Sequence, residues 1–378
     1  MRLRLYGVDF LQKYMRRCWV EIDYDSLRSN MNLILSKLDR TEKPMMVVKA
    51  DAYGCGSRCI SKFLQKNFEI ENWAVATLEE AISLRECGIK GEILVLGYTF
   101  PENVGLLAEY NISQSVFCKE YAIDLSKKLL EINKAISIHL AIDTGMNRVG
   151  FLPSDDFMKY AKLPGFILNG IFTHLCCADS LSDEDIDFTA EQIEKFRKSS
   201  LSIQNAHCKN SAAILRKIGS GFSLVRPGII LYGLQPSKEV MCEELKPIMS
   251  FKATVSMVKT IKKGEIVGYG RNFCAESERK IATVSVGYAD GYCRMLSNKG
   301  KVLIKGKIAR VVGNVCMDYI MVDVTGIDVK AGDIVTLFGY DGQNVISADD
   351  VADAIGTIGY EVMCNVSKRV PRIYINGK

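Results

Sequence analysis

The chain has 378 residues, 48% of them hydrophobic and 25% charged, which allows a large buried core and excludes disorder as the default state. Its net charge of +5 is small for this length, with acids and bases interspersed, so nothing calls for nucleic acid or a strongly acidic partner. Thirteen cysteines without paired CxxC spacing, several in apolar runs (Cys176, Cys177, Cys316), predict a reduced, cytoplasmic protein whose thiols pack as small hydrophobes and bind no metal.

In chain order, residues 1–17 form a basic, partly apolar arm, either a native N-terminus or a linker cut from a longer polypeptide with a membrane module upstream. WVEIDYDSL then reads as a strand leading to Asp25, the expected N-cap of a helix whose apolar positions Leu27, Met31, Ile34 and Leu38 recur at helical spacing. Apolar runs follow at 45–50, 73–77, 92–97, 113–117, 136–143, 166–175, 202–209 and 222–228, separated by helix-like segments such as KEYAIDLSKKLLEIN. Eight strands alternating with helices predict an α/β fold, a closed (β/α)8 barrel over residues 18–245. From residue 246 to 378 strand-like runs succeed one another through KKGE, NKGK and KAGD turns, which predicts a separate, mostly β C-terminal domain with one helix at 348–356.

Barrels of this kind place their chemistry at the C-terminal strand ends. Lys49 stands there, after MMVV and before a turn rich in small residues and glycine, where a desolvated amine can attack a carbonyl. His174, Asn210, Ser211, Arg226 and Gly228 end later strands, and Arg148 lies in the DTGMNRVG loop beyond the fifth. Singly, each has a plain structural explanation: His174 as a satisfied core histidine, Arg226 as a salt-bridge partner, Asn210-Ser211 as a helix cap. Together, Asn210-Ser211 and Pro227-Gly228-Ile229 make a phosphate cradle opposite a reactive lysine. That pairing points to pyridoxal 5′-phosphate, with Arg226 as the partner of its ring nitrogen. An arginine there would leave the ring neutral and favour proton removal and return over decarboxylation or transamination.

In the motifs VVKADAYGCG, HLAIDTGMNRVGF, HCKNSAAI, VRPGIILYG, VGYGRNF, VSVGYADGY, VGNVCMDYIMVDVT and TIGYEVMCNVSKRVPRIY, and over essentially residues 18–374, the chain resembles the bacterial alanine racemases. The resemblance implies a pyridoxal-phosphate homodimer with shared active sites, interconverting L- and D-alanine by two bases and supplying D-amino acid for peptidoglycan. It implies that Lys49 carries the cofactor and acts as one base, and that Tyr269 of the partner subunit is the other. Tyr53, Ser211, Gly228, Ile229 and Tyr360 would hold the phosphate with Asn210 beside them, and Arg226, backed by His207, would meet the ring nitrogen. His174 would hydrogen-bond Tyr269, Arg148 would engage the substrate carboxylate, Met317 and Asp318 would line the substrate side, and Tyr288 would guard the access passage.

Four positions depart from the family's usual pattern. Many relatives have histidine at Cys55, lysine or asparagine at Ala141, glycine at Asn147 and arginine at Asn314. Ala141 matters most, because a carbamylated lysine in some relatives orients the arginine corresponding to Arg148, whose support here would be an anion or a water. The alternative within the family is a serine racemase of the type linked to vancomycin resistance, against which Tyr360 argues sterically. A non-catalytic barrel for pyridoxal-phosphate homeostasis would lack the second domain, and a decarboxylase would hold a carboxylate where Arg226 stands.

Overall fold

The protein is represented by a computed structural model describing residues 17–200 and 203–377, so the expected arm at 1–17 lies outside the described residues except for Arg17. It divides into two compact units, one comprising Asn30–Leu231 with Gln235–Leu245, the other, among the described residues, 17–29, Tyr232–Leu234 and 246–377. The first strand, β1 (Cys18–Asp23), runs antiparallel to β10 (Met249–Ile261) and parallel to β17 (Arg372–Ile375). The sequence placed β1 at the start of the barrel domain; it belongs instead to the C-terminal sheet. The helix cap also lies two residues earlier than expected, because Asp23, not Asp25, accepts the Asp25 N–H at 2.9 Å and the Ser26 hydroxyl at 3.1 Å.

The barrel unit contains β2 (Lys43–Val47), β3 (Asn72–Val75), β4 (Glu92–Val95), β5 (Ser113–Val116), β6 (Ile136–Ala141), β7 (Phe166–Phe172), β8 (Asn205–His207) and β9 (Leu224–Val225). All pairings are parallel, in the order β8-β7-β6-β5-β4-β3-β2-β9. The Arg226 N–H donates to the Lys209 carbonyl at 2.9 Å, just past the β8 and β9 ends, and nearly closes the ring. Short strands of 2 to 7 residues, mostly buried, are what the short apolar runs predicted. Helices at Leu78–Glu86, Lys119–Glu131 and Asp183–Ser199 alternate with them; Thr77 and Ser182 cap two of these through N–H groups three residues on.

In the C-terminal unit β10, β11 (Arg279–Val284), β14 (Ile320–Asp323), β13 (Lys307–Val311), β12 (Lys301–Ile304) and β15 (Ile334–Asp341) pair in a ring, closed because β15 also pairs with β10. The short β16 (Asn344–Ile346) extends β15. The predicted helix after it runs Ala348–Ile355, opened by a Ser347/Asp350 capping box. Cysteine packing differs from expectation. Cys176 is exposed and Cys177 and Cys316 are half-buried, while Cys18, Cys55 and Cys208 are the buried thiols. Among the described residues no helix is long and apolar enough to cross a membrane.

Candidate active site

Lys49 stands two residues past β2 and opens a turn, Lys49–Tyr53, in which Ala50, Asp51, Ala52 and Tyr53 all have φ between 51° and 54°. Four non-glycine residues in the left-handed region cost roughly 1–2 kcal/mol each. The turn is held by a ring of acceptors: Ala50 N–H donates to Glu80 Oε1 at 2.6 Å, Ser57 N–H to Asp51 Oδ1 at 2.8 Å and Gly54 N–H to the Ala50 carbonyl at 2.9 Å. Ala52, Tyr53, Gly54 and Cys55 are buried beneath it. This reversed turn brings the Tyr53 hydroxyl within 2.8 Å of the point where a Cβ on Gly228 would sit.

The Ser211 hydroxyl accepts the Gly228 N–H at 3.0 Å and lies 3.7 Å from the same point. Asn210 is the cap of the helix Ser211–Arg216, accepting the Ala213 N–H at 3.0 Å, so the plain structural explanation holds for it alongside any binding role. Two hydroxyls and the Gly228 backbone thus surround a space kept open by the missing side chain, and the buried Ile229 follows directly. Such hydroxyl and amide donors suit a phosphate.

Arg226, 4% exposed, follows β9 and is fixed on almost every side. Its Nη1 donates to His207 Nδ1 at 2.6 Å and to the His207 carbonyl at 2.8 Å, and Nη2 to the Thr173 carbonyl at 2.7 Å. Among the described residues its Nε–H donates to none of the protein's acceptors. The guanidinium therefore presents one donor at a set angle to a planar ring's nitrogen, without surrendering its proton. Burial draws its pKa down to about 10, so it stays a cation at neutral pH.

His174 is half-buried beside Arg226, whose Nη2 lies 3.4 Å from His174 Nδ1. Burial, then the charges of Arg226, Arg148 and Lys49, push the His174 pKa down to about 3. The three cations that the sequence placed on one rim therefore do converge around this imidazole, which is neutral and keeps Nε2–H to donate.

The C-terminal unit gathers its own group. Tyr288 N–H donates to the Cys316 carbonyl at 3.0 Å and Ala289 N–H to the Met317 carbonyl at 3.1 Å, joining the Tyr288 and Met317-Asp318 segments. Gly287 is obligatory there, since a Cβ would meet the Cys316 and Met317 carbonyl oxygens at 2.3 Å. Asn314 Nδ2 donates to the Tyr269 carbonyl at 2.8 Å, and Tyr269 itself is 74% exposed. Tyr360 lies in the short helix Gly359–Cys364.

Residues 22–236 match the family "Alanine racemase, N-terminal domain" and residues 248–374 match "Alanine racemase, C-terminal domain". The chain belongs to the alanine racemase family. A curated alanine racemase from Clostridium novyi is 44% identical, with 97% of each chain covered. The structure of alanine racemase from Clostridium difficile 630 superposes with TM-score 0.89 at 38% identity, covering 96% of this chain and 97% of that one. Alanine racemase from Bacillus anthracis with bound L-Ala-P gives TM-score 0.88 at 35% identity, covering 97% of each.

The structure accounts for three of the four departures from the alanine racemase pattern; the fourth, Cys55, is buried and its exchange has no structural explanation. Asn147 adopts φ +56°, a conformation glycine favours and asparagine tolerates, with its N–H on Asp143 Oδ1 at 3.0 Å. Asn314 braces Tyr269, its Oδ1 accepting from Asn272 at 2.9 Å. Ala141 and Arg148 border a cavity of about 20 Å³, room for a single water. Sequence reasoning missed Glu80, which braces the lysine turn, and the buried pair His139 and Glu92. The available signal was that this chain has three histidines and all fall at barrel strands.

Proposed function

We propose that the chain is a pyridoxal-phosphate-dependent alanine racemase, an isomerase that interconverts L- and D-alanine and supplies D-alanine for peptidoglycan. The observation that carries this reading is the match to alanine racemases across both units, 22–236 and 248–374, with Lys49 at its strand end and Arg226 held by His207. Bound, the cofactor supplies an electron-withdrawing ring that acidifies the Cα proton of the amino acid. Lys49 takes or returns that proton on one face and Tyr269 on the other; two opposed bases are what inversion at carbon requires. Tyr53, Ser211, Gly228, Ile229 and Tyr360 hold the phosphate, Arg148 holds the carboxylate, and Met317, Asp318 and Tyr288 shape the substrate side.

In this reading the protein is a cytoplasmic homodimer and Tyr269 is lent to the partner's site. The exposure of Tyr269, 74%, supports that assignment, because a base used by another subunit must stand clear of its own chain. Alanine is preferred over serine because Tyr360 fills the space a hydroxymethyl group would need. The relatives described above are alanine racemases, and nothing among them favours the serine or vancomycin-resistance reading. Turnover of L-alanine and L-serine by the purified protein, followed as the D-isomer formed, tests it: alanine is expected to be faster, and a serine preference overturns the substrate assignment. Tyr269→Phe is expected to keep cofactor binding while losing turnover, and specific activity should fall on dilution in step with dimer dissociation.

A further inference from the structure

Behind Arg226 a line of hydrogen bonds continues through the barrel interior. His207 Nε2 lies 3.0 Å from His139 Nδ1, and His139 Nε2 lies 2.8 Å from Glu92 Oε1. Both imidazoles are fully buried and the Glu92 side chain is 13% exposed. Glu92 is the first residue of β4 and Arg226 immediately follows β9, so the line runs from the N-terminal strand ends to the C-terminal ones.

The direction of every bond in it is fixed by its ends. Arg226 can only donate, so His207 Nδ1 must accept and His207 must carry its proton on Nε2. That proton is given to His139 Nδ1, so His139 in turn carries its own on Nε2 and gives it to Glu92. Three donors, His139 at 2.8 Å, Ser113 Oγ at 2.9 Å and Asn169 Nδ2 at 2.6 Å, converge on Glu92 Oε1. Asn169 is itself oriented, because Asn205 Nδ2 donates to its backbone carbonyl at 2.9 Å and to its Oδ1 at 3.3 Å. Gly170 makes the room: a Cβ there would stand 2.4 Å from both Nδ1 and Cε1 of His139.

We propose that Glu92 and His139 are positioning residues for the reaction, fixing the His207 tautomer and, through it, the direction of the Arg226 guanidinium toward the cofactor ring. The column has a negative end, two neutral imidazoles and a positive end, so Arg226 is turned by a hydrogen bond whose polarity is set at the far side of the barrel. Without the carboxylate, His139 could reverse, and His207 would then be asked to carry a proton on the nitrogen that Arg226 already faces. The functional part rests on the racemase reading above; the tautomers do not.

With three histidines in the chain, ¹⁵N-histidine labelling of the full-length protein, with and without cofactor, resolves each imidazole. Both His139 and His207 are expected as Nε2–H tautomers, with the His207 Nε2 proton shared to His139 Nδ1. A proton on Nδ1 of either ring, or an imidazolium at neutral pH, overturns the column. Glu92→Gln is expected to mix the tautomers of both rings and to lower kcat about tenfold, the loss typical of an outer partner of an orienting histidine, with KM for alanine nearly unchanged. Gly170→Ala, which displaces the His139 ring while keeping Glu92, should give the same signature. Unchanged tautomers and unchanged kcat in Glu92→Gln overturn the proposal. A chain that does not racemise alanine yet shows the expected tautomers overturns the proposed function and leaves the column standing.

Discussion

The Tyr53 hydroxyl and the Gly228 backbone face each other so closely that a side-chain carbon on Gly228 would stand 2.8 Å from the hydroxyl oxygen. That contact is tighter than van der Waals packing allows, and the only way to relieve it is to move Tyr53 out of the reversed turn that holds it. Gly228→Ala is therefore expected to weaken pyridoxal-phosphate binding by about 10- to 100-fold, the equivalent of one or two lost phosphate hydrogen bonds. Titration of apoprotein with cofactor, read by absorbance, checks it, and thermal unfolding of the apoprotein should show a far smaller change.

Asp290, 1% exposed, holds the Tyr288 turn. It accepts from Arg17 at 2.9 Å, from Arg369 Nε at 2.8 Å and from the Gly287 N–H at 2.9 Å, and both arginines also reach Asp318. Asp290→Asn removes the charge while preserving shape, leaving two guanidinium groups with only the half-exposed Asp318 as counter-charge. Because both arginines are about two-fifths exposed, the stability cost should stay near or below about 1–2 kcal/mol. KM for alanine should rise, since the Tyr288 and Asp318 segments lose a shared anchor. Urea unfolding and steady-state kinetics on the same variant separate the two effects.

What could be read from the chain alone was what depends on local period and on strand ends. The eight apolar runs specify β2 to β9, and Lys49, His174 and Arg226 were identified because polar residues directly after such runs are few. Three features resisted for physical reasons. β1 is an ordinary strand whose choice of sheet depends on β10 and β17, more than 200 residues away. The left-handed turn at Ala50–Tyr53 contains no glycine or asparagine, the residues that announce positive φ, and is imposed by Glu80 and by burial. His139 sits inside β6 and Glu92 at the start of β4, where one polar residue reads as an exception to the core until its partners on other strands are known.

Acidification should destabilise the protein before its carboxylates protonate. His174, pushed down to about 3, and His207, held well below the ordinary range by burial and by Arg226, both stay neutral in the fold, whereas in the unfolded chain they titrate near 6.5. Above that value neither state binds the proton and the stability is fully present; below it the unfolded chain gains protons that the fold refuses. Stability is then lost as pH falls, by up to about 1.4 kcal/mol per pH unit for each histidine. Urea midpoints measured from neutral pH down to about pH 5 should drop accordingly, and a His207→Asn variant should show a shallower slope. A flat profile over that range would mean that the imidazoles become charged in the fold.

Lys209 and Glu42 form a deeply buried ion pair of the barrel unit, Nζ to Oε1 at 2.5 Å with side chains 3% and 1% exposed. Lys209 is also the residue whose carbonyl accepts the Arg226 N–H that bridges β8 and β9, so the pair stands at the seam of the barrel. Glu42→Gln would leave a buried ammonium with only Asp39, 3.9 Å away and 58% exposed, as counter-charge. Removing one member of such a pair costs about 3–5 kcal/mol, because the surviving charge keeps its desolvation penalty. Replacing both, Glu42→Gln with Lys209→Met, removes the penalty together with the attraction and should recover most of that loss. Denaturant unfolding of the two single variants and the double variant closes the cycle. If Glu42→Gln proves nearly neutral, Asp39 or water is compensating Lys209, and the seam does not depend on the pair.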